Sequence, residues 1–530
     1  MRLASCQNGP ARALAGLLCA LALTGCGSLP SAVERPPSTA LAPRADGELA
    51  ALARNSTPPG AQGQSGQSGF RLLPLGSYSL DTRLQLIQRA RHSLDVQYYV
   101  IENDATGRTL LRELRNAARR GVRVRLLVDD LFTAHTDALL LALAHEPNMQ
   151  VRLFNPFCCN RASTVGRFLG SVQDIYRLNH RMHNKLFIAD GLAAVAGGRN
   201  IADEYFMLHA SGNFVDMDTF ILGAVLPELQ ALFDKYWNSN VVYPVQALVK
   251  DAVNPAQTLA AFEAATAGPP LKLDLPASDV LGYGPLREDF DAGRTGLVWA
   301  PARAFADPPN KRDTLSAEEA ALQSVSYEVR MKIWAAADEL VITSPYLIPG
   351  PLGIGAFEAL GQRKVQVTLL TNSLAATDEP LVHTGYARYR ERLLRYGVDL
   401  YELSPERTRR GKRLGVFGSS LGRLHAKTAI VVKRTVFIGS MNLDPRSQTQ
   451  NTELGLFIDS PDLAKELARV ITISKTQSAY RLRLNPNTQA IEWQGSGDEG
   501  DVVYTSEPET SFWMRLHNLL IAPFVPEQLL

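Results

Sequence analysis

The sequence predicts an α/β protein made of two tandem copies of one layered unit. Three observations carry this. Runs rich in Val, Ile, Leu and Tyr alternate with helical runs, the pattern of a largely buried sheet covered by helices. The order of the runs then repeats, the second copy displaced by roughly 242 to 247 residues, which marks an internal duplication. Finally, each copy carries the same motif. His183-x-Lys185 recurs as His425-x-Lys427, and each is followed at one fixed spacing by a glycine (Gly197, Gly439) and then by an asparagine (Asn200, Asn442).

The chain of 530 residues has room for two or three full cores, and 45% apolar with 20% charged residues is ordinary for a globular protein. A formal net charge of +2 argues against a dedicated nucleic-acid binder, so no nucleic-acid partner is expected. Residues 1–25 read as an export signal: Arg2 and Arg12 precede an apolar run from Ala13 to Leu23 that is too short to cross a bilayer. Leu23-Thr24-Gly25-Cys26 resembles a bacterial lipobox. It implies lipid on Cys26, a membrane partner through that anchor, and a place in the cell envelope facing the periplasm, at the outer or inner membrane. Residues 26–69, rich in Pro, Gly, Ser and Gln, read as a flexible tether. Cys158 and Cys159 are adjacent and lack partners at metal spacing, so they are expected to be buried small apolar residues and no metal is called for.

The first unit is expected over 70–250. A helix ending near Ala90 leads to strand 95–100, helix 107–121, strand 122–130, a helix near 134–145 and strand 151–154. A connecting segment follows over 251–300. The second unit, 301–500, has helix 328–338, strand 339–347, helix 353–363, strand 365–373, helix 383–397 and strand 398–403. The tail, 501–530, places Phe512, Trp513, Leu516, Leu519 and Leu520 on one helical face, expected to dock on the domain or to lie at a lipid interface, docking being the preferred reading.

Both motifs sit on hairpins. Asp190-Gly191 is a tight-turn signal midway between His183 and Gly198, so the returning strand brings Gly197–Asn200 back beside His183 and Lys185. Val432-Lys433 is the matching midpoint in the second copy. A His and a Lys two apart on a strand share a face, which presents a nucleophile or acid beside a fixed cation. Small residues in the return (Gly198, Ser440) allow a ligand to approach closely, and an Asn amide can donate to a phosphate oxygen. Two such faces brought together would surround a phosphodiester.

These motifs resemble the phospholipase D superfamily. Over about 70–530 the sequence is similar to the C-type bacterial cardiolipin synthases in SLDVQYY, RGVRVRLLVDD, RMHNK, GGRNIADEYF, VHTGYARYR, LHAKT, FIGSMNLDPRS and NTELG. The resemblance implies two tandem α-β-α sandwich domains sharing one active site at their interface. It also implies a phosphatidyltransferase that moves a phosphatidyl group from phosphatidylglycerol or phosphatidylethanolamine to phosphatidylglycerol without a cofactor, as a monomer. His183 is implied as the nucleophile of a phosphatidyl-histidine intermediate and His425 as the general acid and base. Lys185, Lys427, Asn200 and Asn442, with Gly198 and Ser440, would surround the phosphoryl oxygens. Glu453 matches the carboxylate that supports the second histidine, and Asp216 is preferred to Asp218 for the first. The motif's acidic position holds Asp190 in the first copy but Val432 in the second. At ~3.3 Å per residue a strand carries that position roughly 16 Å past the lysine, so its role is expected in the turn.

Overall fold

The computed structural model describes residues 28–59, 66–161, 163–250, 254–311, 324–411, 420–497, 500–522 and 525–527. The proposed signal peptide and Cys26 lie outside the described residues. Within them, eighteen strands form one continuous sheet and two more form a small separate one. In the first half the strands run, side by side, Val242–Pro244, Met149–Phe154, Arg123–Asp129, Ser93–Tyr98, Leu186–Ala189, Ala193–Gly197, Asp218–Gly223 and Gln67–Leu73. The three strands Met149–Phe154, Arg123–Asp129 and Ser93–Tyr98 are parallel and joined by helices, while the motif hairpin and the remaining strands run antiparallel to their neighbours.

The second half repeats this order from Val298–Ala306 through Leu454–Asp459, Thr435–Gly439, Thr428–Val431, Glu339–Thr343, Gln366–Asn372 and Asp399–Leu403 to Ala479–Leu484. Gln67–Leu73 pairs antiparallel with Val298–Ala306, so the halves join edge to edge about a pseudo-two-fold axis. Each half keeps its own core, around Leu110, Leu126 and Val195 in the first and Leu360, Leu369 and Leu400 in the second. A third core spans the junction, where Phe70, Ile188 and Ile221 pack with Ile430, Leu456 and Val470.

Three features differ from the sequence expectation. The supposed tether is largely part of the first unit. Glu48–Ser56 is a helix whose Leu49 and Leu52 enter the core, and the Pro-rich stretch before it lies along the sheet. There Arg152 donates to Pro36 O (2.7 Å), Arg125 to Ser38 O (2.9 Å) and Arg123 to Thr39 O (2.8 Å). Extended backbone with free carbonyls suits buried guanidinium groups, and composition alone cannot show that pairing. The segment Gly500–Tyr504, assigned to the tail, pairs with Ile491–Gly497 and extends the second unit's sheet. The tail helix Phe512–Ile521 packs beside Pro380–Ala387 but buries none of its residues, and Phe512, Trp513, Leu519 and Leu520 of the expected docking face stay exposed. In addition, Cys158 and Cys159 are half-exposed rather than buried.

Both hairpin tips adopt the left-handed conformation a type I′ reversal needs: Asp190 (φ 53°) and Gly191 (φ 66°) in one, Val432 (φ 54°) and Lys433 (φ 53°) in the other. The Asp190 carboxylate does more than suit the turn. It accepts from the backbone N–H groups of Arg91 (3.0 Å), His92 (2.7 Å) and Ser93 (2.9 Å), tying the hairpin to the start of the neighbouring strand. Val432 occupies the same place, since its N–H donates to Glu339 O as that of Asp190 donates to Ser93 O, but it has no carboxylate to offer.

Candidate active site

The two motifs lie where the halves meet. The strand Gly212–Val215 pairs in parallel with Leu421–Leu424, which leads into His425, and the His425 N–H donates to Val215 O (2.8 Å). Its counterpart is a parallel bridge between Met182 and Thr452, with the His183 N–H donating to Thr452 O (2.9 Å). Residue pairs are thus exchanged across the axis, each half's histidine segment lying against the other half's carboxylate segment.

The consequence is a crossed support of the imidazoles. His183 Nδ1 lies 2.9 Å from Glu453 Oε2, and His425 Nδ1 lies 2.6 Å from Asp216 Oδ2. This corrects the sequence expectation, which paired each carboxylate with the histidine of its own half. Asp216, not Asp218, meets a histidine ring, and it is that of the other half. Asp218 instead holds Ser79 Oγ (2.6 Å) and the Arg83 guanidinium (3.0 Å) in the first core. With Nδ1 engaged by a carboxylate, each ring carries its proton there and turns Nε2 towards the cleft.

The histidines and lysines precede the strands rather than lying within them, as the ladders begin at Leu186 and Thr428. Each lysine is fixed by its own motif: Lys185 Nζ donates to His183 O (2.6 Å) and Lys427 Nζ to His425 O. Both lysines are 1% exposed, so two ammonium groups are held in a space that water barely reaches.

The small residues position carboxylates rather than phosphate. A Cβ on Gly198 would fall 2.1 Å from Asp216 Oδ1, so only glycine admits that side chain. The equivalent Ser440 donates through Oγ to Glu453 Oε2 and, through its N–H, to Leu454 O (2.9 Å). The asparagines differ in state. Asn200 Nδ2 donates to the Tyr205 hydroxyl (3.0 Å), whereas Asn442 Oδ1 is buried with no partner among the described residues.

Burial and crowding of like charges dominate the electrostatics. Burial, then Lys185 and Lys427, holds the His183 imidazole well below its ordinary value. His425 is lowered to about 4 by burial and by Lys427, with Asp216 pulling the other way. Burial raises Glu453 to about 7, against the pull of Lys185. Burial acts to raise Asp216 too, but the charges of His425 and Lys427 outweigh it and bring the carboxylate to about 2. Lys427 is lowered to about 8 and Lys185 well below its usual range, by burial first; Lys427 adds repulsion at Lys185. A cleft in which burial disfavours two ammonium groups is built to receive an anion.

Comparison with known proteins gives the family of the chain. The family described as "Cardiolipin synthase, PLD-like domain" matches residues 84–237 and again 329–472. The chain is 37% identical to cardiolipin synthase C of Escherichia coli over 464 residues, 85% of this chain and 94% of that one. It belongs to the phospholipase D-like cardiolipin synthase family. A cardiolipin synthase of Staphylococcus aureus is 25% identical over 74% of this chain and 64% of its own length. The crystal structure of Haemophilus influenzae phosphatidylserine synthase shares the fold, with a TM-score of 0.54 at 14% identity, covering 87% of this chain and 95% of that one.

Several residues of this family site escaped the sequence reading. Tyr99 meets the His183 ring edge-on (5.1 Å between centroids) and lies 5.2 Å from Lys185 Nζ, while Tyr205 meets His425 in the same way (5.1 Å). Both tyrosines stand in stretches that carry the resemblance, SLDVQYY and GGRNIADEYF, and an aromatic next to such a motif was the available signal. Arg199 holds the backbone at Asp216 by donating to its carbonyl (2.6 Å) and to Pro74 O (2.7 Å). Asp307, paired with Lys311 Nζ (2.9 Å), accepts from the Glu453 N–H (2.9 Å). His180, three residues before His183, clasps Gln450 O (2.6 Å) and Pro309 O (2.9 Å) of the second half, which fits a structural role.

Proposed function

We propose that this chain is a phosphatidyltransferase that makes cardiolipin, taking a phosphatidyl group from phosphatidylglycerol or phosphatidylethanolamine and delivering it to phosphatidylglycerol. The observation that carries this reading is the crossed pair of supported histidines flanked by two buried lysines. One displacement needs a nucleophile, an acid and a place for phosphoryl charge, and this arrangement supplies all three.

The unequal environments favour one division of labour. His183 has the more strongly depressed basicity and a neutral ring, which suits attack through Nε2 on phosphorus. His425 faces an ionised Asp216 that stabilises its protonated form, and an arriving phosphodiester anion favours that form further. In the first step a P–Nε2 bond forms to His183, and the bond from phosphorus to the headgroup oxygen breaks. His425 gives its proton to the departing alcohol, glycerol or ethanolamine. In the second step a hydroxyl of phosphatidylglycerol loses its proton to His425, attacks phosphorus and displaces His183. Lys185 and Lys427 sit against the phosphoryl oxygens.

The lipobox supports anchoring through Cys26 at the periplasmic face of an envelope membrane, and we place the enzyme there. Purified protein incubated with labelled phosphatidylglycerol, with and without phosphatidylethanolamine, tests the reading. Labelled cardiolipin is expected. Phosphatidic acid as sole product would make the chain a hydrolase, and no turnover would make it a lipid-binding protein.

A further inference from the structure

Large apolar side chains stand exposed on both sides of the catalytic cleft. On the first half, Phe132 (44% exposed) packs edge-on against Tyr99, which in turn packs on His183, so Phe132 marks the lip of the site. The segment behind it is clamped to this lip by ion pairs of Arg161 and Arg167 with Asp130 and Asp137. That segment projects Leu169 (71% exposed) and Tyr176 (78% exposed) outward.

On the second half, Asp378 bonds the Tyr346 hydroxyl (2.9 Å), and its charge reaches Lys427. Two residues later the helix Pro380–Ala387 begins, carrying the exposed Leu381, and the tail helix Phe512–Ile521 packs beside it. The tail is fastened at both ends by inward carboxylates. Glu507 pairs with Arg390, Glu509 bonds Ser404 Oγ (2.6 Å) and Tyr480 OH (2.7 Å), and Glu527 bonds Tyr389 OH (2.6 Å). Between those fastenings Trp513 (74% exposed) and Leu519 (70% exposed) point to solvent. The sequence has no acidic side chain over 158–173 or over 510–526, and Asp174, between Leu169 and Tyr176, is paired with Arg177 (3.1 Å).

We propose that these two patches form one docking surface for a phospholipid bilayer, which seats the cleft mouth against the membrane so that a phosphate can enter without its acyl chains leaving the lipid. Aromatic and aliphatic side chains at this level are the composition that headgroup regions accept. The occupant named here rests on the phosphatidyltransferase reading; the surface itself does not. It is separate from any anchor at Cys26, which holds the chain near a membrane but does not orient the cleft.

The full chain on vesicles of phosphatidylglycerol and phosphatidylethanolamine carrying acyl-chain bromine provides the test. Tryptophan fluorescence is expected to be quenched, and W513F should remove most of that quenching. In the double variant L169D/L519D, quenching of Trp513 should be lost and turnover on vesicles should fall about tenfold or more. Turnover of monomeric short-chain phosphatidylglycerol should remain within about twofold, because neither side chain lines the reacting groups. Unquenched Trp513 in the wild type, or unchanged vesicle turnover in the variant, would overturn the proposal. So would a concentration-dependent dimer dissolved by L519D, which would give the surface to a second copy. Absence of turnover on the short-chain lipid in the wild type would instead overturn the assigned chemistry and leave the quenching result standing.

Discussion

The two halves agree at the cleft and disagree at the hairpin tips. His, Lys and Asn recur at matching places, and each half supplies one carboxylate to the other half's imidazole. At the tips, Asp190 caps three backbone N–H groups where Val432 offers none. In the return strands, Gly198 makes room for Asp216, whereas Ser440 donates to Glu453. The comparison shows which constraints belong to chemistry and which to local folding. Groups around phosphorus are needed in duplicate, while a tip several residues away answers only to the backbone.

The largest effect is expected from removing either ring. H183A and H425A should each lower kcat by about 10⁴-fold or more, measured as labelled cardiolipin formed per minute. Equal residual activity in both halves' variants, near wild-type levels, would break the idea of a single shared site.

Next come the crossed carboxylates. E453Q and D216N should each cost on the order of 10²- to 10⁴-fold in kcat with little change in overall stability, since the amides keep the shape but not the charge that orients each ring. Their pH profiles should differ, because Asp216 is ionised throughout the working range and Glu453 titrates near 7. D218N should act differently, lowering Tm by weakening the buried Arg83 and Arg199 contacts rather than acting on a histidine.

The pH dependence sharpens the comparison of the lysines. Lys427 is lowered to about 8, so its ammonium form is present below that pH and lost as pH rises through it. In the free enzyme kcat/KM should therefore fall on the alkaline side near pH 8. K427R, which stays charged, should shift that limb upward while lowering the maximum rate.

G198A should cost about 1–3 kcal/mol of stability together with activity, because the added methyl must displace the Asp216 carboxylate. The smallest effect is at the tips. V432N should raise stability by about 1 kcal/mol by relieving a β-branched residue from left-handed backbone, and leave kcat unchanged. A large gain in kcat in V432D would show that the acidic place acts on the chemistry.

Much of this was legible from residues alone. The duplicated α/β order, the motif hairpins and the two carboxylates that meet the histidines could be read from spacing and resemblance. Which carboxylate serves which ring could not. Asp216 and Glu453 each follow a histidine in their own half, and only the strand pairing at the pseudo-two-fold sends them across. Ser440 read as a phosphate neighbour because a small residue near the motif admits a ligand, and its partner Glu453 shows only in the fold. The N-terminal stretch read as a tether because Pro-rich composition hides what Arg123, Arg125 and Arg152 supply from distant strands.

The most direct measurement is to quench the enzyme during turnover of phosphatidylglycerol labelled in its phosphate and map the label by mass spectrometry of peptides, in the wild type and in E453Q. The account predicts phosphatidyl label on His183 in the wild type and strongly reduced labelling when the second half's Glu453 is changed. Label on His425, or full labelling of His183 in E453Q, would contradict it.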